Sequence, residues 1–134
     1  MREAKARLRE LGAGVTVDVV RVLVVDDYQS IANGLCRQVR AQGHEARAAF
    51  TGRAALIEAA AVSFAVVLLD IVLPDMTGYD VARQLRLTST APMYIAAISS
   101  RRMEPDANFD EQVQKPFGVE RLVAILQEAS KLIP

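Results

Sequence analysis

The sequence predicts an α/β protein with a doubly wound, five-stranded parallel sheet. Apolar, β-favouring runs alternate along the chain with segments whose apolar residues have helical spacing, which is typical of strand–helix–strand crossover units. The run over residues 66–69 is apolar without alternation, as expected of a strand buried on both faces. Polar residues follow several of the strand-like runs, and ligands bind at the carboxyl ends of strands in such sheets.

Length and composition limit the possible functions. The chain has 134 residues, which suits a single domain, and its 16 basic and 16 acidic residues do not indicate nucleic acid or an anionic membrane as a partner. The lone Cys36 excludes an intramolecular disulfide and is expected to be a small buried thiol. Because no apolar run approaches the ~18 residues of a membrane span and no signal peptide is evident, a cytoplasmic location is expected.

The first 20 residues are interpreted as an N-terminal extension or linker, and residues 21–134 as the folded domain. Residues 2–11 are rich in helix formers and predict a helix that would end at Gly12. Its apolar stripe is thin, with Leu8 and Leu11 three positions apart. A solvated segment is therefore favoured over a helix that binds a partner.

The first half of the domain supplies three predicted strands. Residues 21–25 form the first and lead into Asp26 and Asp27. The second is short and spans residues 44–49. The third is the central strand, and it ends in the carboxylate of Asp70.

Two helices connect these strands. The first has Ile31, Leu35 and Val39 on one face and ends at residues 42–43. The second is capped by Thr51 and continues to residue 61.

The second half adds a helix over residues 79–87 and a strand over residues 93–98 that leads into Ser99. A fifth short strand precedes Lys115. A final helix over residues 119–133 is expected to bury five apolar side chains: Leu122, Val123, Ile125, Leu126 and Leu132.

Residues 101–110 are polar, contain Pro105 and lack a helical apolar stripe, which predicts that a fourth helix is shortened or missing. Five strands joined by crossovers fit the flavodoxin-like order 2-1-3-4-5.

Polar side chains at four strand ends would meet at one edge of this sheet: Asp26, Asp27, Asp70, Ser99 and Lys115. Crowded carboxylates repel one another unless a divalent cation balances their charge, and oxygen ligands of this kind favour Mg²⁺. A phosphoryl group bound there would meet the cation, the ammonium and the hydroxyl. The arrangement suits phosphoryl transfer, for which an aspartate is a known nucleophile.

Each of these residues also has a simpler structural interpretation. Asp26 or Asp27 could cap the next helix, Ser99 could be a loop serine, Lys115 a surface lysine, and Asp70 a turn residue. Their joint placement at four strand ends favours the functional interpretation.

Three motifs carry a family resemblance: VLVVDD at residues 22–27, VLLDIVLPDMTGY at 67–79, and KPF at 115–117. With them the sequence resembles a receiver domain of a bacterial two-component response regulator, over about residues 21–133. Residues 108–111 are similar to receivers attached to hybrid histidine kinases, and single-domain response regulators are the other close type.

The resemblance implies that Asp70 is the phosphoacceptor, supplied by a histidine kinase or a phosphotransfer protein. It also implies a Mg²⁺ ion bound directly by Asp27, Asp70 and the backbone carbonyl of Val72, with Asp26 acting mainly through a metal-bound water.

By the same resemblance, Ser99 and Lys115 would bind the phosphoryl oxygens. The Lys115–Pro116 bond would be cis, which costs little before proline.

Two features depart from the family pattern. Gln112 stands three residues before Lys115, where the family usually has an aromatic residue or histidine that moves when phosphate binds. The interval from Ser99 to Lys115 is also short, at 16 positions (115 minus 99). Both departures concern signal output rather than phosphate acceptance.

Two functional hypotheses follow. The first is a phosphorylatable receiver, a monomer or weak dimer that signals through protein–protein contacts to an unassigned target and is not a dedicated enzyme. The second is a receiver-like scaffold that binds partners without phosphorylation. An aspartate-nucleophile phosphatase is disfavoured because Val72 stands where such enzymes need a second aspartate. Residues 26–30 are not the glycine-rich turn of a flavin or dinucleotide carrier.

Overall fold

The computed structural model describes residues 7–10 and 16–132, with backbone alone for residues 7–10 and 16–18. The described elements are β1 (Arg7–Glu10), β2 (Thr16–Val19), β3 (Arg21–Val25), α1 (Gln29–Ala41), β4 (Glu45–Ala49), α2 (Gly52–Ala61), β5 (Val66–Asp70), α3 (Gly78–Thr88), β6 (Tyr94–Ser99), β7 (Glu111–Gln114) and α4 (Val119–Ser130). No helix in this part of the chain is long and apolar enough to cross a membrane.

The main sheet has the order β4-β3-β5-β6-β7, and every neighbouring pair in it is parallel. Renumbered from its first strand, this is the predicted order 2-1-3-4-5. β5 lies at the centre, with Leu68 aligned with Val24 on one side and Ala96 on the other. All five residues of β5 are buried, which explains its unbroken apolar run.

Alternate residues of the strands face two separate cores, which confirms the doubly wound architecture. Val22 and Val24 of β3 pack with buried residues of α1 and α4, while Leu23 and Val25 pack with buried residues of α2 and α3. Helices therefore cover both faces of the sheet, and its carboxyl edge is left open for a site.

The buried face of α1 differs from the predicted one. Ala32, Cys36 and Val39 are buried, whereas Ile31 is 42% exposed and Leu35 only partly buried. Small side chains at positions 32 and 36 let the helix lie close to the sheet. The thiol of Cys36 is buried as predicted, and this burial raises its pKa.

The last helix also departs from its predicted face at one end. Leu122, Ile125 and Leu126 are buried as expected, and Val123 is partly buried. Leu132 is 43% exposed because α4 ends before it.

The predicted N-terminal helix is wrong where the structure describes it. Residues 7–10 form β1, which pairs antiparallel with β2. The thin apolar stripe gave a helix little to bury, whereas the β-branched segment that follows offers a pairing partner for the backbone. Residues 2–6 and 11, and the proposed end of the helix at Gly12, lie outside the described residues.

The segment between β6 and β7 contains no helix, as predicted. Side-chain contacts order it instead. Arg86 donates to the carbonyl oxygen of Asn108 from Nε (3.1 Å) and Nη2 (3.0 Å), and Nη2 also lies 2.7 Å from Oδ2 of Asp110. The rings of Tyr79 and Phe109 pack with their centroids 5.3 Å apart.

Candidate functional site

The predicted site residues lie at the carboxyl ends of four neighbouring strands. Asp26 directly follows β3, Asp70 ends β5, Ser99 ends β6, and Lys115 directly follows β7. Because these strands are parallel and adjacent, their carboxyl ends lie at one edge of the sheet.

Lys115 bridges two of the carboxylates. Its Nζ lies 2.7 Å from Oδ2 of Asp26 and 3.1 Å from Oδ2 of Asp70. The two carboxylate side chains are 3% and 10% exposed, and the lysine side chain is 20% exposed. One ammonium therefore holds two buried carboxylates together across 89 and 45 residues of chain.

Asp27 adds a third carboxylate at the solvent side. One carboxylate oxygen from each of Asp26, Asp27 and Asp70 lies within 4.8 Å of the others, and Asp27 is exposed. Three negative groups beside a single lysine leave an excess of negative charge. A set of hard oxygen donors that is open on one side fits Mg²⁺, which retains water and leaves positions for a phosphate.

Backbone amides fix the orientation of both buried carboxylates. Oδ1 of Asp26 accepts from the amide of Tyr28 (2.9 Å), and Oδ1 of Asp70 accepts from the amide of Val72 (3.1 Å). Oδ2 of each is then directed to Lys115. The bond to Tyr28 lies ahead of α1, which has no side-chain cap, so the capping interpretation of Asp26 is wrong.

The electrostatics of the cluster favour a charged lysine and oppose a charged Asp70. Burial raises the pKa of Asp70, and the negative charge of Asp26 adds to this, although the Val72 amide and Lys115 act in the opposite direction. Burial disfavours the charge of Lys115, but the hydrogen bond to Asp26 and the charge and hydrogen bond of Asp70 outweigh it. The pKa of Lys115 is therefore raised.

Ser99 ends β6, the strand between β5 and β7, and is 2% exposed. Its Oγ accepts from the amide of Arg101 (3.0 Å), which leaves the hydroxyl proton free to be donated. Its carbonyl oxygen accepts from the amide of Lys115 (2.9 Å), so the two residues share a backbone link. The Lys115–Pro116 bond is cis, as predicted.

Gly78 allows α3 to begin against the end of β5. Its amide donates to the carbonyl oxygen of Ile71 (2.7 Å). A Cβ at this position would lie 2.6 Å from the carbonyl oxygen of Asp70 and 2.8 Å from Cα of Ile71. Since both neighbours are backbone, no larger residue fits without moving the chain next to Asp70.

Gln112, at the position of the usual aromatic residue, is exposed and contacts the loop that stands in for the helix. Its Nε2 donates to the carbonyl oxygen of Glu104 (2.6 Å). The amide of Glu104 donates to the hydroxyl oxygen of Tyr79 (2.8 Å). The loop is thus held at Glu104 from both sides.

Two residues that hold loops next to the site, Asp75 and Arg86, were not predicted from the sequence. Asp75 accepts from the amides of Gly52 and Arg53, which lowers the pKa of its carboxyl, and Arg86 anchors the loop before β7. Both act on backbone atoms of distant segments, and no local spacing pattern indicates such bonds.

Similarity to known proteins extends over most of the chain. The family model described as the response regulator receiver domain matches residues 22–127. The chain is 39% identical over 112 residues to the transcriptional regulatory protein KdpE of Mycobacterium tuberculosis, an alignment that covers 81% of the chain and 50% of that protein. It is 35% identical over 107 residues to the sensory transduction protein RegX3 of Mycobacterium bovis, which covers 77% and 47%. The chain spans about half the length of these relatives.

Two solved structures have the same fold. A response regulator receiver domain (CheY-like) from Methylobacillus flagellatus has a TM-score of 0.77 at 26% identity, covering 83% of this chain and 98% of that one. The response regulator protein TrrA from Thermotoga maritima, solved in complex with Mg²⁺ and BeF, has a TM-score of 0.73 at 28% identity, covering 81% and 97%.

Proposed function

This chain belongs to the family of response regulator receiver domains, and from that premise we propose that Asp70 accepts a phosphoryl group in a two-component phosphorelay. The observation that carries the proposal is the bridge from Lys115 to Asp26 and Asp70 within a cluster of three carboxylates. A structural ion pair needs one carboxylate for each lysine. An excess of carboxylates around a partly buried lysine suits a site that takes up a cation and then an anion.

The reaction follows from the position of Asp70. An oxygen of its carboxylate attacks the phosphorus of a phosphohistidine whose second ring nitrogen carries a proton. The phosphorus–nitrogen bond breaks, and neutral imidazole leaves with the electron pair. The product is an acyl phosphate on Asp70. A carboxylate needs no general base to act as a nucleophile. The site therefore has to keep Asp70 ionised and the phosphohistidine aligned with its carboxylate oxygen.

The metal site would use residues at the carboxyl ends of β3 and β5 and in the loop that follows β5. Asp27, Asp70 and the backbone carbonyl of Val72 would hold Mg²⁺ directly, and Asp26 would act through a bound water. When bound, Mg²⁺ neutralises charge on the carboxylates and on the incoming phosphoryl oxygens. This opposes the effect of burial, which otherwise raises the pKa of Asp70 and favours its protonated form.

Lys115 and Ser99 receive the transferred group. Lys115 is already positioned beside Asp70, so its ammonium can exchange a carboxylate oxygen for a phosphoryl oxygen without a large movement. The hydroxyl of Ser99 can donate its proton to another phosphoryl oxygen. Both contacts strengthen as negative charge gathers on these oxygens.

We propose that a histidine kinase or a phosphotransfer protein donates the phosphoryl group. The phosphorylated domain then signals through a protein–protein contact and is not a dedicated enzyme. We further propose that residues 1–20 are an extension or linker, that residues 21–134 are the receiver domain, and that the domain works in the cytoplasm as a monomer or weak dimer.

A phosphorylation-independent scaffold is the second candidate. The contact from Gln112 to Glu104 favours it, because the position of the usual mobile aromatic is occupied by a side chain already bonded to the segment between β6 and β7. The retention of all five polar residues at the strand ends favours the first candidate.

Intact-mass spectrometry tests the proposal. Wild-type protein, Asp70→Asn and the control Asp80→Asn are incubated with a small acyl phosphate and with Mg²⁺ or EDTA. Asp80 is an exposed carboxylate on α3 whose loss removes the same charge. We expect one phosphoryl adduct on the wild type and the control, only with Mg²⁺, and none on Asp70→Asn. If Asp70→Asn gains the adduct as readily as the wild type, the assignment is wrong.

A further inference from the structure

The loop over residues 71–77 joins the phosphoacceptor strand to α3, and it is closed at its base. The amide of Ile71 donates to the carbonyl oxygen of Ile98 (3.2 Å), and the amide of Gly78 donates to that of Ile71 (2.7 Å). Val72 and Thr77 form an antiparallel bridge across the loop. The base of the loop is therefore fixed to the sheet.

The tip of the loop is fixed to a different element, the N-terminus of α2. Oδ1 of Asp75 accepts from the amide of Gly52 and Oδ2 accepts from that of Arg53, each at 2.9 Å. Thr51 accepts from the amide of Ala54 through its side chain (3.0 Å). The first amides of α2 are thus satisfied by Thr51 and by a carboxylate more than 20 residues away, and a negative charge is favourable at this end of a helix.

Packing supports the same contact. A Cβ on Gly52 would collide with the side chain of Met76 and would lie 2.9 Å from Cγ2 of Val81. The absence of a side chain at Gly52 lets the loop approach α2 closely enough for the carboxylate of Asp75 to reach both amides.

We propose that Asp75 is a positioning residue for the metal site, an inference that rests on the proposed function. Val72 is held from two sides: its amide donates to Oδ1 of Asp70, and its bridge to Thr77 places it in the closed loop. Asp75 ties that loop to α2. Its carboxylate fixes the backbone from which Val72 would contribute a carbonyl oxygen, and Asp75 itself would not be a ligand of the cation.

The consequence is a dependence of Mg²⁺ affinity on a residue outside the ligand set. Partners that orient ligands typically change metal affinity by about 10- to 100-fold when they are lost. The lower end applies here, because Asp75 acts through the backbone and because the closed base of the loop remains. We expect Asp75→Ala to weaken Mg²⁺ binding about tenfold.

The test measures Mg²⁺ affinity by isothermal titration calorimetry for the wild type, Asp75→Ala and Thr51→Ala. Thr51→Ala is the matched control because it removes a cap from the same helix end and leaves the loop untouched. It should bind Mg²⁺ like the wild type. Repeating the titration in about 1 M KCl, where the Debye length is about 3 Å, separates positioning from charge. A loss of affinity that disappears in high salt would refute the positioning role.

Amide hydrogen exchange in the metal-free protein provides a second readout. Asp75→Ala should speed exchange at Gly52, Arg53 and Val72, whereas Thr51→Ala should speed it at Ala54 alone. Unchanged protection at Val72 together with unchanged Mg²⁺ affinity in Asp75→Ala would overturn the inference and leave the proposed function standing. A wild-type protein that binds no Mg²⁺ would instead contradict the proposed function itself, and with it the role assigned to Asp75.

Discussion

Replacing Lys115 with methionine should destabilise the metal-free protein by about 3 kcal/mol. Methionine retains much of the apolar stem of lysine, so the change mainly removes the ammonium that bridges Asp26 and Asp70. Leaving a buried charge without its partner costs about 3–5 kcal/mol. The lower end applies because the lysine side chain is 20% exposed and Asp70 can take up a proton.

The loss of stability in Lys115→Met should depend on pH, and the titration of Asp70 sets the direction of this dependence. Its pKa in the folded protein is already raised above the ordinary value of 3.8, and removing the opposing effect of Lys115 raises it further. Between the pKa of Asp70 in the unfolded chain and its higher pKa in the folded variant, the folded state binds more protons than the unfolded state. The free energy of unfolding of the variant therefore falls as pH rises through this range. The loss of stability in Lys115→Met should therefore be smaller near pH 4 than above the pKa of Asp70 in the folded variant.

Urea denaturation followed by far-UV circular dichroism measures the effect. With a denaturant slope of about 2 kcal/mol per molar, a loss of 3 kcal/mol lowers the midpoint by about 1.5 M. Lys131→Met removes an exposed ion pair with Glu128 and should change stability by no more than about 0.5 kcal/mol. A Lys115→Met protein as stable as the wild type at neutral pH, with no dependence on pH, would refute the electrostatic reasoning.

Three further predictions follow from the site and its supports. Arg86→Ala should cost about 2 kcal/mol and speed amide exchange across residues 101–110, because it removes four hydrogen bonds, three to the backbone carbonyl oxygens of Met93 and Asn108 and one to the carboxylate of Asp110. Arg83 is exposed, so Arg83→Ala is the control, and equal exchange in the two variants would contradict the role of Arg86. Gly78→Ala should lower the free energy of unfolding in urea by about 1–3 kcal/mol and weaken Mg²⁺ binding, because the added Cβ meets backbone next to Asp70. Wild-type stability and wild-type Mg²⁺ affinity in this variant would contradict the prediction and show that the backbone moves to accept the side chain. Mg²⁺ at 100 times its dissociation constant should stabilise the wild type by about 2.7 kcal/mol in the same urea denaturation assay, and EDTA should remove this effect. No stabilisation by Mg²⁺ would argue against the metal site.

The sheet and the strand-end residues could be predicted from the sequence because parallel topology leaves little freedom. The apolar run ending at Asp70 identified the central strand, and alternation with helices placed Asp26, Ser99 and Lys115 at the same edge. The side-chain types at that edge predicted a site for a cation and a phosphoryl group, and the family resemblance assigned a role to each residue. The missing fourth helix was predictable for a similar reason, since a segment without an apolar stripe has nothing to bury.

Other features depended on contacts that a linear pattern does not contain. The buried face of α1 was misjudged because Ile31 is larger than Ala32, although packing against the sheet favours the smaller residue. The hairpin at residues 7–10 and 16–19 overrode helix propensity, which is a weak preference when a strand partner is available. Asp75 and Arg86 bind backbone atoms of distant segments, and only the folded chain brings these together.

Chemical trapping identifies the residue that carries the phosphoryl group. Protein incubated with a small acyl phosphate and Mg²⁺ is reduced with borohydride, which converts an aspartyl phosphate to homoserine, and is then digested and sequenced by mass spectrometry. We expect homoserine at Asp70 alone, and only when Mg²⁺ is present. Homoserine at Asp26 or Asp27, or equal conversion at Asp70 without Mg²⁺, would contradict this prediction.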